Sequence, residues 1–202
     1  MAYNPRDFYF KKAKEQNFAA RSIFKLEEID KRFRIFRAGL FVLDLGCAPG
    51  SWSQYASKKL SGKGLCISVD LTKVTMVLPN VRFEQADAFD EAVIARLAAE
   101  EKVEQFDLVM SDMAPKTTGV RLVDQERSYN LSSRALEVAR MRLKKGGSFI
   151  VKLFQSDRFE EYVAEVKKSF DRVEFMKPKS TRKQSYEIFI TGLGYKGVSH
   201  KS

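Results

Sequence analysis

Histidine is almost missing from this sequence; the only one is His200, close to the last residue. Imidazole is therefore unavailable to any acid–base machinery in the body of the chain. Cysteine is nearly as scarce. Cys47 and Cys66 stand alone, with no CxxC spacing and no Cys/His cluster, so neither a disulfide framework nor a thiolate metal site is expected. No apolar run reaches the roughly 18 residues of a membrane-spanning helix. Residues 1–14 are polar and basic and lack the apolar core of a secretory signal. We expect a cytoplasmic protein without metal and away from membranes, and a monomer.

What remains is an ordinary globular composition: 202 residues, 44% hydrophobic, 12% aromatic and 31% charged. That length suits one domain, and the hydrophobic share rules out wholesale disorder. The net charge of +10 is unevenly placed. Residues 1–37 hold 10 Lys and Arg against 5 acids, residues 176–202 hold 6 against 1, and the middle holds 20 of each. Basic flanks suit a polyanion partner, with phosphates as the contacts. Solvated tails would give the same count, and charge alone does not choose between them.

Short β-rich runs alternate with helical patterns. Strands are predicted at 41–45 (FVLDL), 64–71 (GLCISVDL), 81–87 (VRFEQAD), 106–112 (FDLVMSD), 147–154 (GSFIVKLF), 172–176 and 185–191 (SYEIFIT). Helices are predicted at 51–60, 91–102, 125–143 and 158–170, with Lys145-Gly146-Gly147 punctuating the third and Leu136, Ala139 and Leu143 forming its core stripe. Apolar strands alternating with helices predict a doubly wound, seven-stranded, mostly parallel α/β sheet covered on both faces. Residues 1–37 carry their own helical pattern, with Ile23, Phe24, Leu26 and Ile29 on one side. They are expected to be a basic extension of the same domain, followed by the main body at 38–196 and a tail at 197–202.

In such sheets ligands bind where strands end, near the switch point. The first strand runs into Asp44-Leu45-Gly46-Cys47-Ala48-Pro49-Gly50, where Gly46 and Gly50 permit a tight turn and close approach. Asp70 closes the second strand and suits a ribose diol. Asp87 closes the third and suits an adenine amine. The glycine spacing is GxxxG with a proline inside, not the GxGxxG that seats a pyrophosphate. An NAD-dependent oxidoreductase is thereby disfavoured, and S-adenosylmethionine, a nucleoside with a charged amino-acid tail, is the cofactor expected. Asp44 is either a ligand or a loop brace, and Trp52 either a ligand or a packing aromatic.

Four polar residues break apolar surroundings late in the pattern. Asp112 ends the fourth strand. Lys152 lies inside FIVKLF, Glu187 inside SYEIFI and Lys25 inside IFKL. A lysine inside a buried strand is costly unless its amine has a partner or a task. The alternative to chemistry is a buried ion-pair network.

At these residues the chain resembles the FtsJ/RrmJ family of RNA ribose 2′-O-methyltransferases, and within it the bacterial branch that modifies a uridine of large-subunit rRNA. The likeness rests on Arg21-Ser22 through Lys25-Leu26, DLGCAPGSWSQY, SDMAPKTTG, GSFIVKLFQ and SYEIFI, which span almost the whole chain. Cys47 and Ser51 depart from the family's usual Ala and Gly. The resemblance implies a catalytic tetrad of Lys25, Asp112, Lys152 and Glu187, and cofactor contacts from Gly50, Trp52, Asp70, Asp87 and Asp112, beside Gly46 and Asp44 of the loop. It also implies an RNA substrate, expected in the aminoacyl-site loop of large-subunit rRNA; a tRNA anticodon-loop ribose and a catalytically inactive RNA-binding relative are the alternatives.

A ribose hydroxyl must lose its proton as it attacks a methyl group. A lysine can take that proton only when neutral, which burial or a nearby cation favours. Lys152 is the expected base, with Lys25 as that cation, Asp112 positioning Lys152, and Glu187 orienting Lys25 or the ribose. A base-carbon methyltransferase would want a cysteine at a strand end, and neither cysteine sits there. An amine-directed enzyme would want an aromatic after the fourth strand, where Met113-Ala114-Pro115-Lys116 stands instead. A metal-assisted O-methyltransferase would want more acids than this site offers.

RNA contacts are expected from Arg6, Lys11, Lys12, Lys14, Arg21, Arg32, Arg34 and Arg37, from Lys177, Lys179, Arg182 and Lys183, and from Lys116 and Arg121. Phe8, Tyr9, Phe10 and Phe18 are candidates to stack a base, whereas Phe24 and Phe33 are expected to pack.

Overall fold

The computed structural model of the chain describes residues 5–182 and 184–197, without the side chains of residues 5–7. His200, Lys183 and the Arg6 side chain therefore lie outside the described residues. Two helices come first, α1 (Pro5–Glu15) and α2 (Ile23–Phe33). Then follow β1 (Phe41–Leu45), α3 (Ser51–Leu60), β2 (Leu65–Asp70), β3 (Val81–Gln85), α4 (Glu91–Glu100), β4 (Phe106–Ser111), α5 (Arg121–Arg142), β5 (Leu143–Phe154), α6 (Phe159–Ser169), β6 (Phe170–Met176) and β7 (Glu187–Tyr195). The strands form a seven-stranded sheet in the order β3-β2-β1-β4-β5-β7-β6. The first five are parallel, and β7 inserts antiparallel between β5 and β6. The predicted doubly wound sheet is what is found, with its switch point between β1 and β4.

Strand alternation divides the core in two. Leu43, Leu45, Val109, Phe149, Val151, Leu153, Ile188 and Ile190 face one cluster, which they share with α4, α5 and α6. Val42, Leu108, Met110, Ile150 and Phe189 face the other, which they share with Ala13 of α1, with α2 and with α3. The period of two in the strands thus decides which helices each side chain meets. Leu26 and Ile29 of α2 have no exposed surface, so the hydrophobic effect that stabilises the sheet also holds this early helix.

Several predicted boundaries shift. The long helix starts at Arg121, not 125, and ends at Arg142. Leu143 therefore enters the core from β5, paired with Phe106, while Leu136 and Ala139 enter from the helix. Lys145-Gly146-Gly147 lies inside β5. Gly146, at φ +82°, turns the chain there, and the register shift between Phe106 and Leu108 absorbs the extra residues as a bulge. β3 stops at Gln85 and leaves Asp87 in the following loop. β7 continues to Tyr195; at Gly192 a Cβ would stand 2.6 Å from the Phe170 ring, so the strand's glycine is what lets that ring pack. Among the described residues no helix is long and apolar enough to cross a membrane.

Candidate active site

The same alternation places the chemistry. Asp44 shares its parity with Val42, Lys152 with Ile150, and Glu187 with Phe189. All three thus point to the face covered by α1, α2 and α3. There α2 supplies Lys25, which is 9% exposed. The Lys25 Nζ lies 2.5 Å from Glu187 Oε1. The Lys152 Nζ donates to Asp112 Oδ1 at 2.9 Å and to the Asp112 main-chain carbonyl. Lys152 itself is opposite Phe189 in the β5–β7 register, and the Lys25 Nζ stands 5.7 Å from that ring's centre. Burial by itself would raise the Glu187 carboxyl; the charge and hydrogen bond of Lys25, helped by Lys152, outweigh it and hold the group below the ordinary glutamate range. The four residues therefore converge as two linked ion pairs.

One expectation changes in detail. Lys25 was to be the cation beside Lys152, but its charge is matched by Glu187 at contact distance. The pair as a whole, not a bare cation, borders Lys152. Of the two roles expected for Glu187, holding Lys25 is the one seen.

The donor loop sits at the carboxyl end of β1. Gly46 and Gly50 have φ of +72° and +104°, values that an L side chain rarely adopts. At Gly46 a Cβ would also meet Met113 Cγ at 2.0 Å, because Met113 packs over the glycine. Asp70 braces the loop, accepting from the Ala48 amide at 2.9 Å and the Thr72 amide at 2.7 Å. A carboxylate oxygen has more than one acceptor site, so these bonds leave capacity for a diol. Asp44 is buried and accepts from the Ser53 hydroxyl at 2.7 Å. Burial, with Asp112 and Asp70 adding to it, pushes its carboxyl up to about 7. Trp52 is 2% exposed, donates through Nε1 to the Ser22 carbonyl at 3.0 Å and packs on Phe189. It also borders, with Asp44, Gly46 and Asp112, a small cavity of about 30 Å³. Asp44 and Trp52 thus both brace the structure and both border this cavity. Asp87 is the outlying member, half-exposed, accepting from the Phe89 amide and 3.9 Å from Arg134. Neither Asp70 nor Asp87 lines this small cavity. A buried carboxyl that resists ionisation beside two further acids gains from a positively charged ligand, and on that ground the loop fits a cationic donor. Burial, with Asp44 and Asp70 nearby, pushes the Cys47 thiol well up, so it is no nucleophile. Among the described residues there is no cluster of three or more metal-binding side chains.

On the far side of the tetrad opens a cleft of about 750 Å³, lined by Arg21, Lys25, Arg121, Arg182, Tyr186 and Glu187 among others. The basic residues expected at RNA thus divide. Arg21, Arg121 and Arg182 reach the cleft. Lys179 does not; with Lys12 and Arg32 it lines a separate groove on α1 and α2. Lys177 is exposed and donates to the Ser185 carbonyl at 2.5 Å. Lys11, Lys14, Arg34, Arg37 and Lys116 are exposed elsewhere. Of the candidate stacking rings, Tyr9 and Phe18 pack against Phe24, and Phe8 and Phe10 remain exposed. Phe24 and Phe33 pack as expected. Sequence reasoning passed over Glu28, whose carboxylate receives the Lys179 and Ser180 amides and ties the loop before β7 to α2. It also passed over Tyr186, whose only signal was its place beside Glu187.

The FtsJ-like methyltransferase family matches residues 18–195. The ribosomal RNA large subunit methyltransferase E of Bdellovibrio bacteriovorus is 57% identical over 196 residues, covering 97% of this chain and 100% of the relative. The protein of the same name from Oleidesulfovibrio alaskensis is 49% identical, covering 96% and 93%. A crystal structure assigned as a ribosomal RNA methyltransferase of Plasmodium falciparum superposes with a TM-score of 0.80 at 25% identity, over 90% of this chain and 100% of that one. An S-adenosylmethionine-dependent O-methyltransferase of Thermotoga maritima shares the fold, with a TM-score of 0.57 at 13% identity, over 87% and 66%.

Proposed function

The chain belongs to the FtsJ-like methyltransferase family, and from that premise we propose that it transfers the methyl group of S-adenosylmethionine to a ribose 2′-hydroxyl of large-subunit rRNA, a uridine of the aminoacyl-site loop, with Lys152 as the base. The observation that carries this reading is the meeting of Lys25, Asp112, Lys152 and Glu187 between the donor loop and the basic cleft. The names of the relatives at 57% and 49% identity support the choice of RNA.

When bound, the sulfonium donor supplies an electrophilic carbon whose leaving group is a neutral thioether. Gly46 and Gly50 would admit it, Asp70 and Asp87 would hold its nucleoside, and Asp44 and Asp112 would offset its charge. Asp112 fixes the Lys152 amine through two hydrogen bonds. In its neutral form that amine would take the 2′-hydroxyl proton, while the donor would give its methyl group to the sugar oxygen and leave as the neutral thioether. The Glu187–Lys25 pair borders the ribose and holds it in line, so much of the acceleration comes from alignment.

We read residues 1–37 as part of this same unit, since Leu26 and Ile29 share a core with Val42 and Met110. The experiment is a map of ribose methylation across total RNA from cells with and without this protein. A single large-subunit uridine should lose its methyl group. An unchanged map of rRNA, or loss at a tRNA anticodon loop, overturns the assignment.

A further inference from the structure

Tyr186 stands out at the cleft. Its side chain is half in solvent, at 51% exposure, although the next residue, Glu187, is buried in the tetrad. A lone exposed aromatic is unremarkable in itself. This one has two further properties. The Arg121 guanidinium lies over its ring, 4.3 Å from the centre, and both residues line the cleft that contains Lys25 and Glu187.

The rim that presents the ring is tied together. The Tyr186 carbonyl accepts from the Gln155 amide at 2.8 Å. The Gln125 side chain donates to the Gln155 carbonyl at 2.6 Å. Asp124, one turn into α5, receives the Thr118 amide and hydroxyl and the Gly119 amide, at 2.7, 2.9 and 3.3 Å. Three chain segments are thus cross-linked, and the Tyr186–Arg121 pair starts from fixed backbone on both sides. The two acids of the cleft are occupied, Asp124 by that loop and Glu187 by Lys25, so neither opposes a phosphate with an unpaired charge. An aromatic face backed by a guanidinium, in a cleft with a basic wall, is the chemistry that receives a nucleobase and its phosphate.

We propose that Tyr186, held by Arg121, stacks on the base of the nucleotide whose ribose is methylated. The inference rests on the proposed RNA function and adds to it a platform that fixes the acceptor sugar relative to Lys152. Stacking accepts any base, so this platform supplies grip and orientation, and the identity of the base is read elsewhere.

The test compares Tyr186→Leu with Tyr186→Phe, using unmethylated large ribosomal subunits as substrate and S-adenosylmethionine as donor. Tyr186→Leu should raise the KM for subunits by about ten- to a hundredfold, the span of one lost base–aromatic stack. Tyr186→Phe, which keeps the ring, should restore it. Donor affinity and the salt slope of RNA binding should not move, since no charge is removed. A short oligoribonucleotide with 2-aminopurine at the acceptor position should lose fluorescence on binding the wild-type protein and keep it with the Leu variant. An unchanged KM for the Leu variant, a Phe variant as impaired as Leu, or equal fluorescence with both proteins overturns the platform. Absence of methyl transfer by the wild-type protein overturns the RNA-modifying function instead, and the fluorescence comparison still decides the stack.

Discussion

Lys152 and Asp112 are joined twice: the amine donates to the carboxylate and also to the main-chain carbonyl of the same residue, across the seam between β4 and β5. Two acceptors from one residue at a strand end leave the amine little freedom to swing. Lys152→Ala should abolish methyl transfer while donor affinity stays within about threefold, as read by calorimetry and by transfer of labelled methyl. Lys152→Arg should be as inactive, because a guanidinium keeps its proton at any working pH. Activity in either variant removes Lys152 from the role of base.

Asp44 should make donor binding depend on pH. Its folded value, about 7, lies above that of an unfolded carboxylate. Its ionised form is thus disfavoured by folding, and the group withdraws stability as pH rises from the ordinary carboxylate range towards 7. A cationic ligand reverses the preference. The affinity for S-adenosylmethionine should therefore rise by up to about tenfold per pH unit between about pH 5 and 7, then level off. Asp44→Asn should flatten that rise and make the free protein's thermal stability less dependent on pH over the same window. Calorimetry in buffers of different ionisation enthalpy checks it through proton release on binding; zero release near pH 6 would refute it.

The division of basic residues between two surfaces can be read from salt dependence. Lys179→Glu with Arg182→Glu should weaken RNA binding and lower the slope of log affinity against log salt by roughly one to two. Arg182→Glu alone should carry the larger share, because Arg182 is in the cleft with the tetrad and Lys179 is not. Filter binding across a salt series measures both. An unchanged slope for the double variant places the RNA elsewhere.

Leu26 is fully buried beneath the sheet. Leu26→Ala should cost about 2–5 kcal/mol of stability in a single cooperative transition. Two separate transitions in denaturant would show that the early helices fold apart from the sheet.

Much of this was legible in the sequence because it is local. Strand runs such as FVLDL and FIVKLF announce themselves by apolarity, and Lys152 announces itself by interrupting one. What was not legible is set by tertiary partners. Nothing near Lys145-Gly146-Gly147 says that the chain will bulge inside a strand instead of ending a helix; the pairing of Leu143 with Phe106 decides that. Lys25 could be singled out by its apolar neighbours, but its pairing with Glu187 depends on β7 arriving from the other end of the chain. Lys179 and Arg182 are close in sequence, yet Glu28 anchors the loop between α2 and β7 so that they serve different surfaces.

That meeting of early and late segments has a consequence for biosynthesis. Lys25 leaves the ribosome first, but its acidic partner is on the last strand, which slots between two strands already made. Until that strand has been translated and inserted, Lys25 has no Glu187 to pair with. A chain that stops before residue 187 therefore lacks the Lys25–Glu187 pair, and under the proposed function it should transfer no methyl group.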